Sequence, residues 1–401
     1  MPAAEGRAFD LAALLAPGSV EDFLASAWQR SPLHRRRGDP RAYDVVLTSA
    51  ELEGFLNAGD LRYPALQLAK EGSYYAAEAY TRSAKHGTET FSGVVDMEKV
   101  RAEYRAGATL VLPALQRLWK PLRGACEAIE AELSHPVHAN AYLTPGNALG
   151  FTPHYDTHDV FVLQIAGRKQ WRVFEPPLAL PHHSQTFSPA GYVAGAPILE
   201  LELHPGDLLY LPRGYVHSAA TSDSHSLHVT LGVTCFTWIE LMNELQQAAK
   251  TMPAFREALP AGFARRPELR AELAAGLAQR MEVLRGHAEP SAAVDAFLQR
   301  ARAARPRSPT PFAVEVVVIG WQTELATPPA ASYRIGTENG ATSLEHDGRK
   351  LFLPAAVRST LEAIGARTRF RPSDLPRDLD EHATLAFVRF LEGEGFLTRA
   401  R

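Results

Sequence analysis

Between Val137 and Gly232 the order of apolar and polar residues reads as a succession of strands. Phe161-Val-Leu-Gln-Ile165 is a short apolar run of the kind that forms a buried strand, and Gly167-Arg168 after it is a turn signal. Lys169-Gln-Trp-Arg-Val-Phe174 alternates, so Lys169, Trp171 and Val173 share one face, and the two segments together read as a hairpin. Gly206-Asp207 turns the chain into an apolar strand, Leu208 to Leu211, which Pro212-Arg213-Gly214 then bends. Ser226-Leu-His-Val-Thr-Leu-Gly232 alternates small or polar residues with large apolar ones. Asn140 and Tyr142 fall on one face of a strand that begins at Val137.

Outside this region the period is helical. Residues 1–30 read as helix, with Ser19-Val-Glu-Asp22 as a capping box before Phe23 and Leu24, and Thr48-Ser-Ala-Glu51 opens another helix in the same way. Residues 60–112 mix strand and loop signals that extend the sheets. Pro113 to Leu133 is amphipathic and leads into the Val137 strand. After Trp238 the spacing of three and four returns, over Glu240 to Lys250 and Pro267 to Leu284. Arg305-Pro-Arg-Ser-Pro-Thr-Pro311 is a linker by composition. The last segment carries turn and strand signals from Gly336 to Leu353, including Glu338-Asn-Gly340 and His346-Asp-Gly348. Phe370-Arg-Pro-Ser-Asp374 and a helical stretch from Glu381 to Glu392 follow.

Within the strand region, His154-Tyr155-Asp156, Lys169 and His217 change the picture from fold to chemistry. Residues i and i+2 of a strand point the same way, so His154 and Asp156 project together and Tyr155 projects away. Two imidazoles and one carboxylate suit a redox-active Fe(II) with open coordination positions. An ammonium on the same face as Trp171 and Val173 is costly to bury without a partner, which an acidic co-substrate would supply. His158, His182, His183, His225 and His228 read as surface, core or supporting residues, with His158 placed near the entrance to the site. Arg168 has the opposite parity to Lys169 and reads as solvent-facing, unless a bulge exchanges the two.

These residues resemble the JmjC domain of the cupin superfamily, and most closely its ribosomal oxygenases. The resemblance is carried by Asn140-Ala-Tyr-Leu-Thr-Pro145, His154-Tyr-Asp156, Phe161 to Val173, Gly206 to His217 and Ser226-Leu-His-Val-Thr230. It extends to a helical lead-in ending at Trp28-Gln-Arg-Ser-Pro-Leu33 and to the C-terminal half. It implies an α+β chain: a double-stranded β-helix (jelly-roll) catalytic domain over residues 1–236 with its core at 137–232. A helical dimerisation region at 237–310 and a winged-helix-like domain at 311–401 would follow. It also implies that His154, Asp156 and His217 hold Fe(II), and that Lys169 pairs with the distal carboxylate of 2-oxoglutarate, as a point charge where some relatives carry arginine. Asn140 and Tyr142 would line the same pocket. The implied reaction consumes O2, yields succinate and hydroxylates an arginine or histidine side chain of a ribosomal protein.

Composition limits the setting. Net charge is −3 over 401 residues, which does not describe a nucleic-acid polycation, and 46% hydrophobic residues suffice for real cores. Two cysteines, Cys126 and Cys235, do not make a disulfide framework. The first residues lack a signal-peptide pattern and no apolar run approaches a membrane span, so a cytoplasmic protein is expected. Residues 250–310 carry eleven Lys and Arg against six Asp and Glu. This reads as a solvated helical face before an RNA contact, and the winged-helix-like segment, without a concentrated basic helix, as a packing or protein-contact module. Three other readings remain open on the residues alone: an N-methyl-lysine demethylase, a metal-dependent cupin isomerase, and a ribosome-binding factor with a vestigial metal site.

Overall fold

The computed structural model describes residues 9–58, 61–86, 88–287, 290–303, 319–338, 340–346 and 349–399. The chain divides into two compact units, residues 1–236 and 237–401.

The first unit begins with helices α1 (Leu11–Leu15) and α2 (Val20–Ser26), strand β1 (Leu33–Arg35) and helix α3 (Ser49–Asn57). Ser19 caps α2 by accepting from the Asp22 amide, and Thr48 with Glu51 forms a full capping box on α3. Strands β2 (Gln67–Lys70) and β3 (Ser73–Tyr74), the hairpin β4 (Thr81–His86) and β5 (Glu89–Val95), helix α4 (Met97–Arg105), strand β6 (Thr109–Leu112) and helix α5 (Lys120–Leu133) follow. Helix α4 was not expected in a stretch read as strand and loop; Asp96 caps it through the Glu98 and Lys99 amides. Helix α5 starts seven residues later than the amphipathic pattern suggests. Ala114 is left-handed (φ 50°), Leu115–Arg117 is a short 3-10 turn, and Pro121 sits in the first turn of the helix proper.

The strand region contains β7 (Val137–Thr144), β8 (Asp159–Gly167), β9 (Lys169–Phe174), β10 (Leu199–Leu203), β11 (Leu208–Leu211), β12 (Val216–Ala220) and β13 (Ser226–Val233). An eight-stranded sheet has the order β1-β11-β8-β13-β7-β6-β2-β3, and a three-stranded sheet the order β10-β9-β12. The segments expected to form a hairpin, β8 and β9, do not pair with each other. Strand β8 pairs with β11 and β13 in the large sheet, whereas β9 pairs with β10 and β12 in the small one. The chain therefore crosses between sheets at Gly167-Arg168 instead of folding back on itself. Gly167 has φ +64°, and a Cβ there would lie 1.8 Å from the His225 carbonyl oxygen, so the crossing requires glycine.

Alternation then decides which side chains meet. From β8 and β11, Val160, Val162, Leu209 and Leu211 pack against Trp171, Val173 and Leu203 of the small sheet. Phe161, Leu163, Ile165, Leu208 and Tyr210 join the other core, with Phe23 of α2 and Ile129 of α5. Strand β8 is thus buried on both faces, which is why it reads as a continuous apolar run. Two sheets closed over a shared interior make the jelly-roll barrel.

The second unit holds helices α6 (Trp238–Ala249), α7 (Pro253–Arg256), α8 (Leu269–His287) and α9 (Pro290–Ala303). The linker read at residues 305–311 lies outside the described residues. Beyond it, Tyr333–Glu338, Ala341–His346 and Arg349–Leu353 form an antiparallel sheet. Of the two turns expected there, residues 339 and 347–348 lie outside the described residues. Helices Arg358–Gly365 and Glu381–Gly393 share one apolar core with Leu325, Leu344 and Phe396.

Candidate active site

A cavity of about 450 Å³ opens between the two sheets. On β7 and β13 its walls are the polar alternates of strands whose apolar alternates fill the core, and on β9 they are the buried face that carries Lys169 and Trp171. Strand β7 contributes Asn140 and Tyr142, β13 contributes His228 and Thr230, and β9 contributes Lys169 and Trp171. His154, Asp156 and His217 line the same cavity, and a ligand atom from each lies within 4.8 Å of the others.

The backbone holds these three without placing His154 and Asp156 in a regular strand, as the sequence had suggested. They sit on an irregular segment joined to β12 by two isolated bridges, Leu149 with Ala220 and His154 with His217. The His154 amide donates to the His217 carbonyl at 3.2 Å, and the His217 amide donates back at 2.8 Å. The Gly214 amide donates to the Asp156 carbonyl at 3.1 Å. Both imidazoles are oriented by their own backbone: His154 Nδ1 lies 2.8 Å from the Thr152 carbonyl, and His217 Nδ1 lies 3.1 Å from that of Tyr215. A proton on each Nδ1 satisfies those carbonyls and leaves both Nε2 atoms free to ligate. The His217 Nε2 lies 3.6 Å from the Asp156 carboxylate. Burial, with His154 beside it, pushes His217 down to about 4, so the ring is a neutral donor at ordinary pH. Burial alone would raise the Asp156 carboxyl. The imidazoles of His158, His217, His154 and His138 outweigh it and hold the group below its usual range. A divalent cation fits this donor set, with coordination positions left over.

Lys169 stands at another part of the cavity and is 3% exposed. Its ammonium donates to the Thr144 hydroxyl at 3.0 Å, and among the described residues no carboxylate pairs with it. Burial pushes its pKa down to about 7. His228 stacks on Tyr142 with ring centroids 4.8 Å apart. Burial and the nearby Lys169 keep His228 well below the usual imidazole range. Asn140 Oδ1 accepts from the Ala114 amide at 3.0 Å, which turns the amide nitrogen toward the Tyr142 hydroxyl at 3.5 Å.

Of the residues singled out in the sequence, His154, Asp156, His217, Lys169, Asn140, Tyr142 and His158 all line the cavity. Arg168 does not: it faces outward, paired with Asp223 at 3.1 Å and Glu202 at 3.5 Å. The sequence reading missed His228, Thr230 and Trp171 as cavity residues, although their strand parity marks them. It also missed His138, whose ring lies 4.8 Å from that of His158. Gly232 makes room for that pair, since a Cβ there would lie 2.4 Å from His138 and 2.6 Å from His158. Gly72 and Tyr74 come from a distant segment and had no local signal, and Phe151, three residues before His154, was also missed.

A model of the JmjC domain matches residues 117–241, the stretch that carries the three clustered ligands and the buried lysine. Residues 117–241 are a JmjC domain. The chain is 32% identical over 257 residues to ribosomal oxygenase 1 of Gallus gallus, covering 62% of this chain and 41% of that protein. It is 34% identical over 262 residues to the bifunctional lysine-specific demethylase and histidyl-hydroxylase NO66 of Aedes aegypti, covering 61% and 38%. The chain therefore spans about two fifths of the length of these curated relatives. Among solved structures it resembles YcfD, a ribosomal oxygenase from Escherichia coli in complex with cobalt and succinic acid. That match has a TM-score of 0.50 at 17% identity and covers 95% of this chain and 98% of that one. At that identity the likeness is one of fold. The JmjC domain here retains in one cavity both a metal-ligating set and a buried cation.

Proposed function

We propose that the protein is an Fe(II)- and 2-oxoglutarate-dependent dioxygenase that hydroxylates an arginine or histidine side chain of a ribosomal protein. One observation carries the reading: a two-histidine, one-carboxylate cluster shares its cavity with an ammonium that has no carboxylate partner among the described residues. His154 and His217 would hold the metal through Nε2 and Asp156 through a carboxylate oxygen. Lys169 would pair with the distal carboxylate of 2-oxoglutarate beside Thr144, with Asn140 and Tyr142 along the same wall. When bound, Fe(II), 2-oxoglutarate and O2 supply oxidative decarboxylation to succinate coupled to C–H hydroxylation. The chain's share is to fix the ligands, neutralise the co-substrate and keep water from the reacting centre. A cupin isomerase or a ribosome-binding factor has no use for a buried lysine at this place.

The target class rests on the names of the relatives, among them ribosomal oxygenase 1 and YcfD. The Aedes aegypti relative's name also includes lysine-specific demethylase, which favours demethylation as the second reading. Formaldehyde released alongside succinate would establish that alternative.

The decisive experiment has two stages. Anaerobic addition of Fe(II) and 2-oxoglutarate should give a charge-transfer band, absent in Asp156→Ala. Ribosomal proteins from a strain lacking the gene should then be incubated with enzyme, Fe(II), 2-oxoglutarate and O2. Intact mass spectrometry should show one protein gaining a single oxygen, and none doing so with Asp156→Ala. A band without any oxygen gain would keep the chemistry and remove the ribosomal target. Normal turnover by Asp156→Ala would remove the metal assignment.

The reading extends to the rest of the chain. Residues 1–236 would be the catalytic domain, 237–310 a helical dimerisation region and 311–401 a winged-helix-like contact module, in a cytoplasmic homodimer that binds no nucleic acid directly. Exposed apolar pairs one turn apart, Leu277 with Met281 on α8 and Val294 with Leu298 on α9, support dimerisation. A monomer by light scattering at micromolar concentration would overturn it. No helix among the described residues is long and apolar enough to cross a membrane.

A further inference from the structure

Behind the cavity, on the opposite face of β8 and β11, lies a buried polar chain whose members do not line the cavity. Asp159 is fully buried at the start of β8, three residues after Asp156. Arg213 is 6% exposed in the bend four residues before His217. The Arg213 guanidinium donates to Asp159 Oδ1 at 2.9 Å, and the Arg213 amide donates to the same oxygen at 3.3 Å. The Tyr210 hydroxyl donates to Asp159 Oδ2 at 2.5 Å and accepts from the Gln29 amide at 2.9 Å. The next residue of the lead-in, Arg30, accepts through its carbonyl from the Tyr215 hydroxyl at 2.9 Å. Residues 29–30 therefore grip both sides of the bend that delivers His217, and Asp159 ties that bend to the segment that delivers His154 and Asp156.

We propose that Asp159, Arg213 and Tyr210 are positioning residues for the metal centre, setting the spacing of His217 against His154 and Asp156 before any metal binds. The two ligand-bearing segments meet at two isolated bridges, Leu149–Ala220 and His154–His217, and at the Gly150–Ala219 and Gly214–Asp156 backbone hydrogen bonds. Between those bridges five residue steps on one segment oppose three on the other, so the pairing is irregular and is a weak register lock for a segment that is not a regular strand. A buried, hydrogen-bonded ion pair a few residues away on each segment supplies the missing constraint, because separating it strands a charge in the core. Apolar packing around the chain is aromatic and close: Tyr210 lies 4.8 Å from Phe23 and 4.9 Å from Phe161, ring centre to ring centre. The alternative that the pair only stabilises the domain predicts no special effect on metal affinity.

This inference rests on the metal-site reading above, and Co(II) titration of the full chain, followed by ligand-field absorbance, tests the two separately. Asp159→Asn and Arg213→Lys should each weaken Co(II) roughly 10–100-fold, the range seen when groups that orient metal ligands are removed. The double variant should lose little more than either single one. Leu52→Ala, a core change on α3 remote from the site, serves as a stability control and should bind Co(II) within about twofold of the parent. Parent-like affinity in Asp159→Asn, or an equal loss in Leu52→Ala at a similar fall in Tm, overturns the proposal. If Asp159→Asn does not fold, Tyr210→Phe carries the test: it keeps the ring, and a loss of less than about twofold overturns the proposal. A parent that binds no Co(II) sinks the metal-site reading itself.

Discussion

Among its described residues the first unit buries one lysine and one arginine, Lys169 and Arg213, and they are treated in opposite ways. Arg213 meets Asp159 through two hydrogen bonds, with Tyr210 on the carboxylate's other oxygen. Lys169, more deeply buried, donates to the Thr144 hydroxyl and meets no carboxylate among the described residues, and its pKa falls to about 7. Burying a charge without a counter-charge is expensive, and structures that do so without reason are rare. The arginine lies in the wall behind the site, where its partner comes from the same chain. The lysine lies in the cavity, where a small anion can reach it. The contrast separates a cation that holds the fold from one kept for a ligand, and the two differ in what their removal should do.

The largest effect is expected from Lys169→Met. Without the ammonium, the bound carboxylate of 2-oxoglutarate has no counter-charge. Affinity should fall by roughly 3–5 kcal/mol, on the order of a hundredfold or more. Stability of the ligand-free protein should hold or rise, because an unpaired charge has left the interior. Calorimetric titration and thermal unfolding of the same sample measure both. Unchanged co-substrate affinity would break the comparison at its first step. Arg213→Met should do the reverse to stability, lowering it by about 3 kcal/mol because the Asp159 carboxylate stays buried without its cation. Denaturant unfolding reads this directly, and a variant as stable as the parent would show that the pair is dispensable to the fold.

The pH dependence sharpens the same contrast. The Lys169 pKa is about 7 in the folded chain against an ordinary 10.5. Between those values the unfolded chain holds a proton that the folded chain does not, so stability of the ligand-free protein rises with pH across that window. Below about pH 7 both states hold the proton and the penalty for charging Lys169 is fully present. Lys169→Met should remove this contribution from the slope. Saturating 2-oxoglutarate should reduce it too, since a bound carboxylate favours the ammonium. The comparison of parent and variant by thermal unfolding at pH 7 and pH 9.5 measures the difference, and identical slopes would mean that Lys169 is not the titrating group.

Much of the site was legible because strand parity is a strict rule. Lys169 with Trp171 and Asn140 with Tyr142 fall together in space as strand parity requires, whereas His154 and Asp156 meet in the cavity from an irregular segment. The same rule would have placed His228 and Thr230 in the cavity, opposite Leu227, Val229 and Leu231. What parity does not encode is which sheet a strand joins. A hairpin and a crossing between sheets both need a glycine turn, and only the backbone pairing of β9 with β10 and β12 distinguishes them. The Asp159–Arg213 pair was invisible for a related reason: its members are 54 residues apart and meet through tertiary packing alone. Helix α4 was hidden by a single weak local signal, the Asp96 cap, amid strand-like neighbours.

The smallest expected effect bears on how Lys169 is held. Its ammonium donates to the Thr144 hydroxyl, which in turn accepts from Thr109 at 3.1 Å, so a short chain of hydroxyls fixes where the charge sits. Thr144→Val keeps the shape of the side chain and removes the oxygen. The lysine keeps its charge and its reach, so the anion can still bind, but its position is no longer fixed before binding. A hydrogen bond of this kind contributes about 1 kcal/mol, somewhat more when one partner is charged. Affinity for 2-oxoglutarate should therefore fall about 5–10-fold, well short of the loss in Lys169→Met, while Co(II) affinity stays at the parent value. A Thr144→Val variant as impaired as Lys169→Met would mean that the hydroxyl, and not the ammonium, makes the principal contact. The contrast between the two cations would then need to be redrawn around a neutral anchor.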